Sequence, residues 1–420
     1  MSKEELENIK SELDELMSSL KKEQENIPEM PKVFFDNEKP IVYKEKNEEE
    51  IKLQEEIEKE KSKEEAKVEE TKQPKKEKKN KKKKKDKKKS KKWVITFGVL
   101  DALAIICIFL MYGPIAYFRN LWVTSAMTTM SHKYLAYVFF NKEQVNYIMS
   151  NNTIIEVEGE TNQEEIEFEE ETPIVYSSPE EEQVLTRDEG NDVYKVIDIQ
   201  GDGYKGHMLV VYDPSKIKLG KVTNMKYGWT LDQFMRKTGA VAGINASGFH
   251  YSEYRGYTFT GVVIQDGQVI ANNGGTGFGG GIIGLTYDNV LVLTKASAYE
   301  ALNMGVRDAV SFGPFLIVNG VPSKFKGNGG YGIAPRTAIG QRKDGIVLML
   351  VIDGRRPGHS LGVDMVELTN IMLKYGAYNA SNLDGGGSST FYANGKILSV
   401  AGGSGYSGDR YLPNAWLVYE

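Results

Sequence analysis

Residues 382–389 read NLDGGGSS and place an acid, a glycine triplet and two hydroxyls in one short stretch. Glycines carry no side chains, so their backbone N–H groups can approach a ligand closely and form a nest that binds an anion. Asp384 precedes the triplet and Ser388 follows it. The stretch predicts a site for a negatively charged group, and an ordinary tight turn is the alternative. The three glycines are Gly385, Gly386 and Gly387.

A second stretch, residues 334–340, reads APRTAIG and supplies a guanidinium and a hydroxyl, Arg336 and Thr337. Arginine is the planar donor best suited to a phosphate or a carboxylate. A second acid, Asp353, ends the apolar run VLMLVI, and strand ends that open into loops are where sites are commonly placed. We therefore expect two acids and an anion-binding arginine to share one site.

Six motifs, in this order and spacing, resemble the phosphodiester glycosidase family: GINASGF, FGPFLIVNG, PRTAIG, a strand ending in DGR, the helix of residues 362–375 and NLDGGGSST. The similarity covers residues 192–420. The best-known member of the family removes N-acetylglucosamine from mannose 6-phosphate precursors, and this chain resembles a membrane-anchored bacterial member. The resemblance implies an α+β domain that hydrolyses sugar-1-phosphodiesters.

Cleavage of the sugar C–O bond in such a substrate needs a stabilised oxocarbenium-like transition state and donors for the departing phosphate. Arg336 and the glycine amides are the predicted phosphate donors. Asp384 and Asp353 are the candidates for the nucleophile or the base, and the sequence does not distinguish their roles. Arg355, with Arg356 and His359 in the same loop, is a candidate for holding a second phosphate, a solvated loop being the alternative.

Other polar residues give weaker signals. Asn245 ends a buried strand and is predicted to hydrogen-bond the sugar or to orient a carboxylate, or else to cap the turn. His250 follows closely and either reaches the site or lies on the surface. Asp353 and Asp384 are hard ligands of the kind that Ca²⁺ or Mg²⁺ takes, but spacing alone does not establish a metal site. Aromatic faces for sugar stacking are available in three glycine-rich stretches, at Phe278, Tyr331 and Tyr406.

Composition limits the other classes of function. The chain has 420 residues and a formal net charge of −5, which averages segments of very different charge. Its one cysteine, Cys107, excludes an internal disulfide and a cysteine-based zinc site, and its four histidines are scattered.

The N-terminal part, residues 1–92, is predicted to be cytoplasmic. It begins with a short amphipathic helix over residues 2–22 and continues as a Glu- and Lys-rich segment that is disordered or transiently helical. The lysine cluster of residues 75–92 could suggest nucleic-acid binding. No aromatic residues interleave it, so we predict no nucleic-acid partner.

Residues 93–117 are predicted to form one transmembrane helix, because a bilayer core of about 30 Å needs roughly 20 apolar residues. The lysines before this span place the N-terminus in the cytoplasm and the C-terminal domain outside the cell. Residues 118–155 read as a juxtamembrane helical segment. Residues 156–191 are acidic and read as an extended stalk.

Residues 192–420 are predicted to form a sheet-rich α+β domain on a mixed or antiparallel sheet. Helices are predicted over residues 231–238, capped by Thr230, and over residues 363–375, ended by Gly376. Three hairpins are predicted from their turn residues, which are Asp266-Gly267, Asp288-Asn289 and Asn394-Gly395.

Together these features predict a membrane-anchored, extracellular hydrolase of sugar-1-phosphodiester linkages in cell-surface glycopolymers. Its partners would be phosphorylated glycans or wall polymers like teichoic acid. Two alternatives stay open, a non-catalytic scaffold that binds phosphoglycans and a metal-dependent phosphodiesterase that cuts the P–O bond.

Overall fold

The computed structural model describes residues 79–129, 132–168, 175–273, 281–400 and 410–420. The chain divides into two units, Met1–Trp93 and Val94–Glu420, and of the first only helical backbone from residue 79 is described. The predicted helix of residues 2–22, and the candidate stacking residues Phe278 and Tyr406, lie outside the described residues.

The described α-helices are short apart from the first. They are α1 (Lys79–Tyr112), α2 (Ala116–Met127), α3 (Lys142–Ser150), α4 (Pro179–Leu185), α5 (Leu231–Thr238), α6 (Ala298–Asn303) and α7 (Met365–Lys374).

The described strands form most of the rest. They are β1 (Thr153–Ile155), β2 (Tyr194–Gly201), β3 (Tyr204–Val211), β4 (Ile217–Lys221), β5 (Ala242–Asn245), β6 (Phe249–Ser252), β7 (Gly256–Phe259), β8 (Val262–Gln265), β9 (Gln268–Asn272), β10 (Gly281–Thr286), β11 (Leu291–Thr294), β12 (Val306–Phe312), β13 (Phe315–Val318), β14 (Val321–Pro322), β15 (Lys324–Lys326), β16 (Arg336–Arg342), β17 (Val347–Ile352), β18 (Ala377–Asn382), β19 (Phe391–Ala393), β20 (Lys396–Ile397) and β21 (Asn414–Val418).

Three large sheets build the domain. One has seven strands in the order β14-β13-β18-β16-β17-β3-β2, and two have five strands, in the orders β11-β10-β12-β8-β9 and β20-β19-β5-β21-β4. Two-stranded sheets join β1 to β15 and β6 to β7. Every strand pair described is antiparallel. The domain is therefore of the α+β class, as the sequence predicted.

The three sheets enclose one central core, and period-two alternation decides which side chains enter it. On β17, Val347, Met349 and Val351 face this core with residues such as Trp416 and Phe391. The alternate residues of β17, Leu348, Leu350 and Ile352, face a second core beneath α7. Because both faces are covered, β17 is apolar throughout, which is the pattern visible in the sequence.

The helices predicted within the domain are confirmed. Thr230 and Gln233 form a capping box at the start of α5, and Gly239 ends it with a φ of 77°. Asp364 caps α7, and Gly376 follows it with a φ of 82°. The three predicted hairpin turns lie between β8 and β9, β10 and β11, and β19 and β20.

The predicted uninterrupted helix over residues 93–117 is wrong at its C-terminal end. α1 stops at Tyr112 and α2 begins at Ala116. Pro114 disfavours helical geometry at Gly113 and has no N–H to donate, which explains the break. Among the described residues no single helix has the length and apolar composition to cross a membrane. Thr96–Tyr112 and Ala116–Met127 reach that threshold only as a pair, bent by 85°.

The acidic segment that was expected to be an extended stalk instead packs on the domain. The Thr161 amide donates to the Leu293 carbonyl at 3.1 Å, the Glu167 amide donates to the Lys343 carbonyl at 2.9 Å, and Val184 of α4 is fully buried. Isolated apolar residues such as Ile166, which is also buried, anchor the acidic stretch. The overall composition hid these anchors, because acidic residues dominate the segment by number.

Candidate functional site

The site lies at one edge of the seven-stranded sheet. β17 and β18 both flank β16 and run antiparallel to it, so their C-terminal ends meet at the edge where β16 begins. Asp353 follows β17 and Asp384 follows β18. Two strand spacings separate these strands, which is about 10 Å. The topology thus brings both candidate acids to one edge.

The glycine triplet turns tightly at this edge. Gly386 has a φ of 63°, a conformation that favours glycine, and its amide donates to the Pro335 carbonyl at 2.8 Å. The predicted anion-binding nest is therefore wrong for the Gly386 amide, which the protein itself uses. A Cβ on Gly386 would lie 3.5 Å from Arg355 Nη2, and one on Gly387 would lie 3.8 Å from Arg410 Nη1. Two guanidinium groups therefore lie beside the triplet.

Asp384, which precedes the triplet, is half-buried. Burial raises the pKa of its carboxyl to about 6, although a hydrogen bond from Ser388, the charge of Arg410 and the Gly385 amide act in the opposite direction. A carboxyl with a pKa near neutrality can gain or lose a proton under physiological conditions. This makes Asp384 the described site residue best suited to acid–base chemistry.

Ser388 connects Asp384 to Arg410. Its hydroxyl accepts a hydrogen bond from Arg410 Nη1 at 2.9 Å and donates one to the Asp384 carboxylate. The Arg410 guanidinium also lies 4.6 Å from the centroid of the Phe249 ring, which fixes its orientation. The sequence prediction missed Arg410. The available signal was an arginine that ends a glycine-rich stretch just before the buried strand β21.

Asn245 holds the glycine loop in place. It is fully buried, its amide donates to the Asp384 carbonyl at 2.6 Å, and its side-chain oxygen accepts from the Thr337 hydroxyl at 2.9 Å and the Thr390 amide at 3.1 Å. The Thr337 hydroxyl also lies 3.2 Å from that of Ser389. Asn245 and Thr337 therefore act on the site by positioning the Asp384 backbone.

Arg336 does not fit the predicted role of phosphate donor. Its Nε donates to the Val363 carbonyl at 3.1 Å, and its Nη2 donates to the carbonyls of Tyr331 and Gly332 at 2.8 and 2.6 Å. The reason is strand alternation: Arg336 and Thr337 are neighbours, so they point to opposite faces of the sheet. Burial of the guanidinium lowers its pKa to about 10. Arg336 thus anchors a loop on the α7 face, and Arg355 and Arg410 lie nearer to the triplet.

Asp353 forms a pair with His359. The carboxylate is buried, one oxygen lies 2.7 Å from His359 Nε2, and the other accepts from the Val400 amide at 2.8 Å. Because both oxygens are engaged, these contacts fit a residue that orients the histidine better than a nucleophile. Arg355, two residues on, is exposed and has a φ of 56°, an uncommon conformation for a residue with a side chain.

His250 and Tyr331 lie on elements other than the glycine loop. His250 is exposed on β6, opposite Thr258, whereas the neighbouring Phe249 carries the contact with Arg410. Tyr331 packs against the core beneath α7. Across the described residues, no three His, Cys, Asp or Glu side chains are grouped so that they could hold a metal ion.

Comparison with known proteins identifies a family whose model matches part of this chain. Residues 238–419 match the phosphodiester glycosidase family. The matched range includes every candidate site residue described above. The resemblance predicted from the sequence motifs is confirmed.

Three sequence relatives each match part of this chain. The chain is 28% identical over 194 residues to the SPbeta prophage-derived uncharacterized protein YomE of Bacillus subtilis, covering 44% of this chain and 29% of that protein. It is 37% identical over 84 residues to N-acetylglucosamine-1-phosphodiester alpha-N-acetylglucosaminidase from Bos taurus, covering 20% of this chain and 14% of the enzyme. The human enzyme gives the same identity over the same length and is covered to 15%. The chain spans less than a third of each relative.

Among solved structures, the chain is similar to the zebrafish N-acetylglucosamine-1-phosphodiester alpha-N-acetylglucosaminidase catalytic domain, which is auto-inhibited by its pro-peptide. The TM-score is 0.46 at 20% sequence identity, and the alignment covers 56% of this chain and 85% of the zebrafish chain. A putative exported protein of Burkholderia pseudomallei has a TM-score of 0.40 at 16% identity, with coverages of 52% and 74%.

Proposed function

We propose that the domain of residues 192–420 hydrolyses sugar-1-phosphodiesters by cleaving the bond between the anomeric carbon and the phosphate oxygen. The observation that carries the proposal is the connected set of Asp384, Ser388 and Arg410 beside the glycine triplet. The family match supports phosphodiester glycosidase activity in broad terms. The proposed substrates are phosphorylated glycans of the cell surface.

The phosphate would lie between Arg355 and Arg410, next to the glycine triplet. Both guanidinium groups can donate two parallel hydrogen bonds to phosphate oxygens and stabilise the charge that develops as the phosphate leaves. Because glycines have no side chains, none stands between these two guanidinium groups and the backbone of the triplet. This arrangement supplies the leaving-group half of the reaction.

The sugar half of the reaction falls to Asp384. In one route its carboxylate takes a proton from water as the water oxygen attacks the anomeric carbon, and the C–O bond electrons leave with the phosphate. In the other route the carboxylate attacks the anomeric carbon itself, and water later releases the sugar. Both routes need ionised Asp384, so kcat should rise with pH through about 6.

The test compares wild type, Asp384→Asn and Asp288→Asn on a panel of sugar-1-phosphodiesters, with released sugar identified by mass spectrometry. Asp288 lies exposed in the turn between β10 and β11 and serves as the control. We expect Asp384→Asn to lower turnover by at least about a hundredfold and the control to keep it. Absence of free sugar with wild type on every panel member would contradict the proposal and favour a binding scaffold.

A second readout separates C–O from P–O cleavage. Hydrolysis in oxygen-18 water places the label on the sugar when the C–O bond breaks and on the phosphate when the P–O bond breaks. Label on the phosphate would instead support a phosphodiesterase.

We also propose that residues 93–117 hold the domain at a membrane, with the domain outside the cell. Apolar side chains such as Phe97, Ile105 and Phe109 are exposed along α1, and a lysine-rich stretch precedes them. Replacing these three residues by serine should move the protein from the membrane to the soluble fraction after cell lysis. Retention in the membrane fraction would count against this anchor.

A further inference from the structure

The hairpin of β6 and β7 carries aromatic rings on one face only. Phe249 pairs with Phe259, and Tyr251 pairs with Tyr257, so these four residues share a face. The opposite face carries polar side chains, including His250 and Thr258. A two-stranded sheet has no second layer of its own, so its aromatic face must be covered by a neighbour or left in contact with solvent.

The inner end of this aromatic face is continuous with the candidate active site. Arg410 lies 4.6 Å from the Phe249 ring centroid, the Phe249 and Tyr257 centroids are 5.3 Å apart, and the Tyr257 and Tyr251 centroids are 4.9 Å apart. The same guanidinium donates to Ser388. A row of rings therefore leads outward from the residues that are proposed to bind the phosphate.

The outer end of the face is exposed. Tyr251 is 57% exposed and Tyr254, at the tip of the hairpin, is 99% exposed. Tyr227 and Tyr411 are exposed on the adjoining segments, and Gly228 between them leaves room for the Tyr257 ring, since a Cβ there would come within 2.8 Å of it. These exposed tyrosines are grouped in one place, whereas exposed aromatic residues on a protein surface are ordinarily scattered singly.

The hairpin is held rigidly enough to present these rings. The Tyr257 amide donates to the Met225 carbonyl at 2.7 Å, and Gly256, with a φ of 71°, packs directly on Met225 and Lys226. Burial raises the pKa of Tyr257, and the charges of Tyr251 and Tyr411 raise it further whereas Arg410 lowers it, which places all three groups close to that ring.

We propose that this tyrosine surface, formed by Tyr227, Tyr251, Tyr254, Tyr257 and Tyr411, binds additional sugar units of a phosphorylated glycan whose phosphodiester occupies the site at Asp384. The inference rests on the proposed function and adds that the bound glycan extends from the phosphodiester along the hairpin, since a single sugar phosphate would not reach the hairpin tip.

The chemistry of the surface matches that occupant. Flat aromatic faces pack against the apolar face of a pyranose ring, and the tyrosine hydroxyls can exchange hydrogen bonds with sugar hydroxyls. The ring spacing is comparable to the size of a pyranose. Lys226, Arg255 and Arg410 are exposed along the surface and would attract the phosphates of a phosphoglycan, while Glu253 is an acid at the tip.

The test measures binding to the full chain by calorimetry, using synthetic oligomers of N-acetylglucosamine-1-phosphate in a short and a long form as probes. The variants are Tyr251→Ala and Tyr254→Ala. Matched controls are Tyr287→Ala and Tyr299→Ala, which are similarly exposed, at 62% and 66%, but lie near the β10–β11 turn and on α6. All four changes are on exposed residues, so circular dichroism should show a folded chain for each.

We expect wild type to bind the long oligomer more tightly than the short one, and each hairpin variant to lose about fivefold in affinity for the long form. The controls should match wild type. Equal affinity of the hairpin variants and wild type for the long oligomer, or no binding by wild type, would overturn the proposal. So would a fall in self-association of the two variants in sedimentation, because the surface would then be an interface between copies.

The two hypotheses fail separately. Tyrosine-dependent binding of the long oligomer without release of sugar would retain the glycan surface and reject the proposed hydrolysis. Release of sugar at rates that do not depend on either tyrosine, with unchanged affinity, would retain the hydrolysis and reject the surface.

Discussion

The protonation of Asp384 is set by opposing influences, and each can be changed by one substitution. Burial raises its pKa to about 6, while Ser388, Arg410 and the Gly385 amide lower it. Removing Arg410 leaves burial less opposed, so Arg410→Ala should raise the pKa of Asp384 above 6. The rising limb of the profile of kcat against pH should move to higher pH by the same amount.

Arg410→Ala should also lower kcat/KM by about a hundredfold, because it removes a donor to the leaving phosphate. Arg410→Lys keeps the charge and loses the planar arrangement of donors. Compared with Arg410→Ala, it should therefore return the rising limb of the pH profile close to its wild-type position, while kcat/KM recovers less. A rate loss with an unmoved pH limb would show that Arg410 does not act on Asp384.

Asn245 gives a prediction of stability at the same scale. Asn245→Ala leaves the Asp384 carbonyl, the Thr390 amide and the Thr337 hydroxyl without their buried partner. We expect a loss of about 3 kcal/mol in the free energy of unfolding, measured in urea. Thr337→Val removes only the hydroxyl and should cost about 1 kcal/mol. Equal costs would mean that the Asn245 bonds to the loop backbone contribute little.

Among the elements, α2 packs against the loop of residues 327–333. The Ile333 amide donates to the Ser125 hydroxyl at 3.3 Å, and the Thr128 hydroxyl donates to the Tyr331 carbonyl at 3.2 Å. Arg336 binds the carbonyls of Tyr331 and Gly332. The loop is thus held both by α2 and by the first residue of β16.

Gly332→Ala tests this packing. Gly332 has a φ of 58°, and a Cβ there would overlap the backbone and side chain of Ser125. Gly358 has a φ of 85° and open space around it, so Gly358→Ala carries the backbone strain alone. We expect about 1 kcal/mol for Gly358→Ala and at least about 3 kcal/mol for Gly332→Ala in thermal or urea unfolding. Similar losses in the free energy of unfolding for both variants would show that α2 shifts readily to accommodate the new methyl group.

Local signals predicted the elements well. Thr230, Gly376 and the Asp266-Gly267 turn each act within a few residues, and the structure has the expected cap or hairpin at each place. The stalk was mispredicted because the buried positions of Ile166 and Val184 depend on partners distant in the sequence. Composition does not report such partners.

The site was predictable only in part, because sequence patterns indicate local features and do not indicate contacts between residues distant in the sequence. Asp384 could be found because a strand end and a glycine triplet are both local features. Arg336 was assigned to the wrong face because a chemical type does not state which way a strand residue points. Arg410 was missed since its bond to Ser388 is made only by the folded chain.

For the molecule as a whole, burial of Asp384 links activity to stability. Its pKa of about 6 in the folded state exceeds the value of about 3.9 for an unfolded aspartate. The folded state therefore binds more protons between these two values, and the free energy of unfolding must fall as pH rises through this window and level off above it. Ionisation of Asp384 therefore lowers the free energy of unfolding at neutral pH.

Asp384→Asn should remove this cost. At about pH 7 the variant should be more stable than wild type by about 2 kcal/mol, a figure reduced for the partial exposure of the carboxyl, and at about pH 4 the two should differ little. Urea unfolding at both pH values measures the difference, with Asp288→Asn as the exposed control. Greater stability at neutral pH together with lost turnover would identify Asp384 as a residue retained for chemistry at the expense of the fold. A variant less stable than wild type at neutral pH would mean that Ser388 and Arg410 stabilise the carboxylate by more than its burial costs, and Asp384 would then be an anchor of the glycine loop.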